Sequence, residues 1–179
     1  MTTTYNDQEL LAIVNDQDEI IGRDTRVNIH QKGLPHRETA LLIINSNNEI
    51  LVQQRTDNLK WDSSVGGHLA YNDDYSEAII REAKEELGIN IKKSEIEEIA
   101  KIKIQSGSHN NNHRFVKFFK LKKDYAIDKI KFNRNEIKSI EFMDSKKLKE
   151  IMNNHPKKMT HGFFTILEKY LKKINSLYF

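Results

Sequence analysis

The sequence predicts one α+β domain, a mixed β-sheet flanked by helices. Three observations predict it. Short apolar or β-branched runs bounded by turn residues occupy residues 10–54 and 96–143, a helical pattern covers 73–87 between them, and an amphipathic pattern closes the chain after residue 160. The 179 residues are read as a single domain over 1–179, long enough to bury a core. That core is placed over about 35–172, with an N-terminal β-hairpin extension over 8–30.

The elements follow in order. Leu10–Val14 reads as a first strand, residues 15–18 as turn chemistry and 19–21 as the hairpin return. Residues 38–44 are apolar and β-branched, 45–48 form a turn, and 50–54 form the next strand. Residues 73–87 are helical, and Gly88 is the stop. Residues 96–104 and 114–121 alternate as strands around a polar loop at 108–112. A short strand covers 139–143, and Asp144 caps a helix over 145–153. Thr160 caps the last helix, whose apolar stripe is Phe163, Phe164, Leu167, Tyr170 and Leu171.

Composition excludes several classes. At 37% hydrophobic and 31% charged residues the chain is globular but polar, and no apolar run approaches the roughly 18–20 residues of a membrane span. Residues 1–9 lack the basic-then-apolar pattern of a secretory signal, so a cytoplasmic protein is expected. The absence of cysteine excludes disulfides, thiolate metal ligands and a cysteine nucleophile. Residues 1–89 carry 8 Lys/Arg against 16 Asp/Glu, and residues 90–179 carry 21 against 10. An acidic half beside a basic half suits a phosphorylated substrate; the plainer account is a lysine-rich surface facing solvent. The lysines are dispersed and no nucleic-acid-binding motif is visible, so no nucleic-acid partner is expected.

The informative stretch runs from Gly66-Gly67-His68 through Asp73 to Arg81-Glu82-Ala83-Lys84-Glu85-Glu86-Leu87-Gly88-Ile89. At roughly 100° per residue, Glu82, Glu85 and Glu86 share one helix face. Ser76, Ile79, Ile80, Ala83 and Leu87 fill the neighbouring face, which can dock on a sheet, and Ala78 is read as a small residue on the carboxylate side that leaves the site open. Three adjacent carboxylates repel one another unless a cation neutralises them, and hard oxygen ligands select Mg²⁺ or Mn²⁺ over zinc. Arg81, four residues before Glu85, can hold one carboxylate in place. The two glycines are read as a loop whose backbone approaches the metal and phosphates. An ordinary Glu-rich surface helix is the bland alternative. Six fixed residues, each expected at roughly one position in ten to twenty, make it a poor one.

The stretch resembles the signature of the Nudix family, Gly-x5-Glu-x7-Arg-Glu-U-x-Glu-Glu-x-Gly-U with U a bulky aliphatic residue. Here it reads from Gly67 through Asp73, Arg81, Glu82, Ala83, Glu85, Glu86 and Gly88 to Ile89; Asp73 replaces a glutamate and Ala83 a larger aliphatic. The resemblance implies an α/β/α sandwich, a small-molecule diphosphate substrate of the nucleoside-diphosphate type, and a Mg²⁺ or Mn²⁺ cofactor. By the same resemblance Glu82, Glu85, Glu86 and the Gly67 carbonyl are metal ligands, Glu85, Glu82 and Arg81 are catalytic, and Glu85 is the favoured base. Glu136 is a candidate extra ligand, base or substrate contact; the alternative is a surface residue.

Beyond the signature, the Asp24–Arg37 region, Gln53-Gln54-Arg55, the Trp61–His68 stretch, Asn135-Glu136-Ile137 and His155-Pro156 resemble the branch that holds the type I isopentenyl-diphosphate isomerases, over residues 10–172. Those isomerases move protons with a cysteine and a glutamate, and their motif Asn-Ser-Val-Cys-Gly-His stands here as Ser63-Ser64-Val65-Gly66-Gly67-His68. Gly66 cannot transfer a proton and all three helix glutamates are kept, which favours hydrolysis over isomerisation or a non-catalytic nucleotide-binding module. Comparable histidines of the isomerases help bind a metal. His30, His36 and His68 could do so here or make structural hydrogen bonds, and His68 is also a substrate-contact candidate. Arg37 and Arg55 could grip a diphosphate with their guanidinium forks or form surface salt bridges. Trp61 is read as an anchor rather than a base-stacking platform. A homodimer is open, since many relatives are dimers and the N-terminal strand could pair or swap.

Overall fold

Alternation along the central strands builds two cores on opposite faces of one layer. The computed structural model describes residues 6–106 and 112–175. In β3 (His36–Ile43), Leu41 and Ile43 enter one buried cluster while Ala40 and Leu42 enter the other. In β4 (Ile50–Arg55), Leu51 faces the first cluster, and Ile50 and Val52 the second. Successive strand side chains point to opposite faces, so a strand apolar on both must be covered on both. Helix α2 (Tyr75–Leu87) covers the first with Ala78, Ile79, Ala83 and Leu87; α3 (Ser145–Asn154) and α4 (His161–Asn175) cover the second with Leu148, Phe163, Ile166 and Leu167. The result is the α/β/α sandwich.

A four-stranded mixed sheet runs β6-β3-β8-β7, with β6 at Val65–His68, β7 at Ile96–Ser106 and β8 at Asn112–Leu121. Its β3–β8 pair is parallel and its other pairs are antiparallel. An antiparallel trio runs β5-β4-β9, with β5 at Trp61–Asp62 and β9 at Ile137–Met143. β1 (Leu10–Val14) and β2 (Ile20–Thr25) form a separate hairpin, held to the body where Val14 N–H donates to the Pro35 carbonyl and Tyr71 N–H to that of Leu10. No helix among the described residues is long and apolar enough to cross a membrane.

Local chemistry sets the helix ends. Asp74 and Glu77 form a capping box at the start of α2, and Gly88 ends it with φ of 66°, where an added Cβ would lie 2.9 Å from the Lys131 carbonyl oxygen. Asp144 accepts from Lys147 N–H at 2.7 Å and Thr160 from Phe163 N–H at 3.2 Å, so both act as the expected caps.

The structure also departs from the sequence reading. Residues 26–32 form a helix, α1 (Arg26–Lys32), capped by Thr25 and ended by Gly33. It is only seven residues long and buries one apolar side chain, Ile29, so it carries no periodic signal. Gly66 and Gly67 lie in β6, paired with Ala40 and Thr39, rather than in a loop. Asp73 precedes the helix instead of starting it. Ala78 is fully buried in the core, because it shares the sheet-facing side with Ile79. Residues 108–111 of the expected polar loop lie outside the described residues, and Asn112 opens β8.

Candidate active site

The three glutamates of α2 differ in surroundings. Glu86 is buried, Glu82 is 14% exposed and Glu85 is 57% exposed. Arg81 connects them: its Nη1 donates to Glu82 Oε1 at 2.9 Å and Glu85 Oε2 at 3.3 Å, while Nη2 donates to the His68 carbonyl at 3.4 Å and pairs with Asp73 at 3.5 Å. One guanidinium thus fastens two carboxylates to each other and to β6, and the shorter Asp73 still pairs with it.

Gly67 meets the helix from the other side. A Cβ there would lie 2.8 Å from Glu82 Cγ and closer still to its carboxyl group. Bare backbone and the buried carboxylate occupy one cradle. Burial lifts the Glu82 pKa to about 7 against the opposing charge of Arg81, with a smaller push from the like charge of Glu85. Burial and then the charge of Glu82 push Glu86 well above the ordinary carboxylate range. A hard divalent cation fits these residues, since its charge removes the repulsion and its ligands are oxygen.

The glutamates open on a cavity of about 550 Å³. Arg55, His68 and Glu136 line it. Arg37 does not: its Nε donates to Asp18 Oδ1 at 2.7 Å and its guanidinium lies over the Tyr75 ring. Asp18, a buried turn carboxylate, recruits Arg37 into a structural pair that ties the β1–β2 turn to β3. Trp61 packs at the edge of the second core beside Met159 and is no part of the cavity lining.

Several lining residues escaped the sequence reading: Glu9, Arg26, Glu38, Asp62 and Arg114. Arg26 and Asp62 lie in the stretches that resemble the isomerase branch but were not singled out there, and strand register brings in Glu38 and Arg114. β3 pairs Glu38 with His68 of β6 and His36 with Arg114 of β8. Burial pushes the Asp62 carboxyl up, although Arg55 lies 3.7 Å away and Ser63 N–H donates to it. Glu38 stays well below its usual range despite its burial, because Arg114 Nε sits 2.7 Å from it.

The same register assembles the histidines. Ligand nitrogens of His30, His36 and His68 all lie within 4.8 Å of one another. His30 Nε2 and His68 Nε2 are 3.1 Å apart, and Glu38 Oε1 stands 3.4 Å from His68 Nε2 and 3.8 Å from His36 Nε2. His36 Nδ1 lies 3.0 Å from the Leu34 carbonyl, a contact that holds its proton on Nδ1. Its Nε2 is then a buried lone pair with no hydrogen-bond partner. Burial first, and neighbouring charges second, bring His30 down to about 4 and His68 well below its ordinary value. Convergent imidazole nitrogens beside a carboxylate fit a borderline divalent cation.

The chain matches the NUDIX domain family over residues 34–163. It belongs to the NUDIX domain family. It is 37% identical to an uncharacterized Nudix hydrolase of Pseudomonas aeruginosa over 89 residues, 47% of this chain and 53% of that protein. It therefore spans about half the length of that relative. Over 171 residues it is 26% identical to an isopentenyl-diphosphate Delta-isomerase of Serratia proteamaculans, 89% of this chain and 90% of that one. A crystal structure from Deinococcus radiodurans superposes with a TM-score of 0.73 at 24% identity, covering 90% of this chain and 98% of that one, and shows the shared fold. Within this Nudix domain, Gly66 stands where the isomerase motif has its cysteine. A Cβ there would meet Ser63 Oγ at 3.3 Å and the Thr39 carbonyl at 3.4 Å.

Proposed function

We propose that this Nudix protein is a divalent-metal-dependent hydrolase that cleaves a phosphoanhydride bond of a nucleoside-diphosphate-like substrate by water attack on phosphorus. One observation carries the reading: Glu82, Glu85 and Glu86, joined by Arg81 and seated against Gly67, open on a cavity that also presents Arg55. Mg²⁺ or Mn²⁺ bound there supplies charge neutralisation and Lewis acidity for phosphoryl chemistry. Glu82, Glu86 and the Gly67 backbone are the buried part of the ligand set. Glu85, the exposed carboxylate, accepts the proton of the attacking water. Arg81 keeps Glu82 and Glu85 in register, and Arg55, itself oriented by Asp57 at 3.0 Å, faces the substrate phosphates.

The histidine triad supports a second cation site, held by His30, His36 and His68 with Glu38 beside them, and His68 and Glu38 join it to the wall of the same cavity. That feature agrees with the isomerase-like branch. The proton chemistry of an isomerase lacks support, because Gly66 offers no acid. A purely binding module is disfavoured by the intact carboxylate set.

The test is product release from a panel of nucleoside-diphosphate derivatives with Mg²⁺, with Mn²⁺ and with EDTA, and isopentenyl diphosphate assayed for isomerisation in parallel. Cation-dependent cleavage abolished by EDTA is expected. Isomerisation without cleavage would overturn the proposal.

A further inference from the structure

We propose that Gln53 is a positioning residue for Glu86, holding that carboxylate in its ligand orientation while leaving its charge available to a cation; this rests on reading Glu86 as a metal ligand. Gln53 interrupts the apolar run of β4, Ile50-Leu51-Val52, and is 4% exposed. By alternation it shares the face of Leu51, the face covered by α2. A buried amide costs several kcal/mol unless it is paired. Its Nε2 donates to Glu86 Oε2 at 2.8 Å. β4 is flanked on both sides, with Gln53 opposite Asp62 of β5 and Ile140 of β9, so the sheet fixes where the amide points.

The chemistry of the donor matters. Glu86 is surrounded by like charges from Glu82, Glu136 and Asp62, and no salt bridge reaches it among the described residues. Glu82 and Glu85 are held by a cation, Arg81, which partly discharges them. Glu86 is held by a neutral amide, which fixes one oxygen without neutralising the group. A lysine or arginine in place of Gln53 would orient Glu86 but compete with the metal. Partners of metal ligands typically contribute 10–100-fold in metal affinity.

The experiment is an electron paramagnetic resonance titration of free Mn²⁺ with wild type, Gln53→Met, Gln53→Asn and Glu86→Gln, together with thermal melting in EDTA. Methionine keeps the length and removes the donor; asparagine keeps the donor and loses the reach, and serves if the methionine variant fails to fold. Expected are Mn²⁺ affinities weakened about 10–100-fold in both Gln53 variants, melting in EDTA close to wild type, and kcat recovered at saturating Mn²⁺. Mn²⁺ affinity within about twofold of wild type in the Gln53 variants, with Glu86→Gln defective, would overturn the role of Gln53 alone. Wild-type Mn²⁺ binding by Glu86→Gln would remove Glu86 from the ligand set and overturn both readings.

Discussion

The Glu82 side chain rests against the bare Cα of Gly67, so that a single added methyl group would come within 2.8 Å of its Cγ. The neighbour is the end of a flexible side chain rather than backbone, so Gly67→Ala should move the carboxylate and leave the fold standing. The variant is expected to melt within about 1 kcal/mol of wild type, while Mn²⁺ affinity and turnover fall at least about tenfold. Calorimetric Mn²⁺ titration beside a melting curve checks both; unchanged Mn²⁺ affinity would remove Gly67 from the site.

Glu82 also sets a pH dependence. Its folded pKa of about 7 lies above the ordinary 4.5, so its contribution favours folding below about pH 4.5 and is lost as pH rises through about 7. The size is about 3 kcal/mol, from roughly 1.4 per unit. In EDTA, Glu82→Gln should therefore gain melting temperature over wild type progressively between pH 5 and pH 8. Saturating Mg²⁺ should reverse the order at pH 8, where the wild-type carboxylate is ionised and available to the cation. A pH-independent gap in EDTA would mean that Glu82 is not perturbed.

The histidine site predicts a cation bound apart from the glutamates. With His30 brought down to about 4 and His68 also lowered by burial, protons should compete little with a cation for these two imidazoles near neutral pH. Co²⁺ added to wild type should give visible bands of nitrogen coordination, retained in Glu86→Gln and lost in His36→Ala. Bands that survive the loss of His36 would contradict the assignment.

Asp18 tests the structural reading of Arg37. It accepts from Arg37 Nε and Lys101 Nζ at 2.7 Å and from the Tyr75 hydroxyl at 3.0 Å. Burial would raise its pKa, but Lys101 and Arg37 together hold it below 3.8. Its contribution is therefore present above the unfolded value and lost as pH falls below about 4. Asp18→Ala should cost about 3 kcal/mol by stranding Arg37 and Tyr75, with kcat unchanged at a temperature where the variant is folded. A kcat lowered in proportion would place Arg37 back among the substrate contacts.

How much of this was legible in the sequence depends on range. The strand at Leu10–Val14, the caps Asp144 and Thr160, the stop at Gly88 and the carboxylate face of α2 are set by spacing within one element, and they read out directly. Helix α1 did not, being too short and too polar for a periodic signal. The burial of Ala78 was missed because a helix face has no origin until the sheet beneath it is known. Glu38 and Arg114 came to the site through the parallel β3–β8 register, which joins residues far apart in sequence. The same limit hid the partner of Arg37, since nothing local links it to Asp18.

The most direct test of the central claim is turnover by Glu86→Gln and Glu85→Gln under saturating Mg²⁺ on the best substrate of the panel, with circular dichroism to verify folding. Each amide keeps the shape and removes the charge. The account predicts folded proteins whose kcat falls by more than the roughly 100-fold attached to outer-shell partners. Near wild-type kcat in either variant would contradict it.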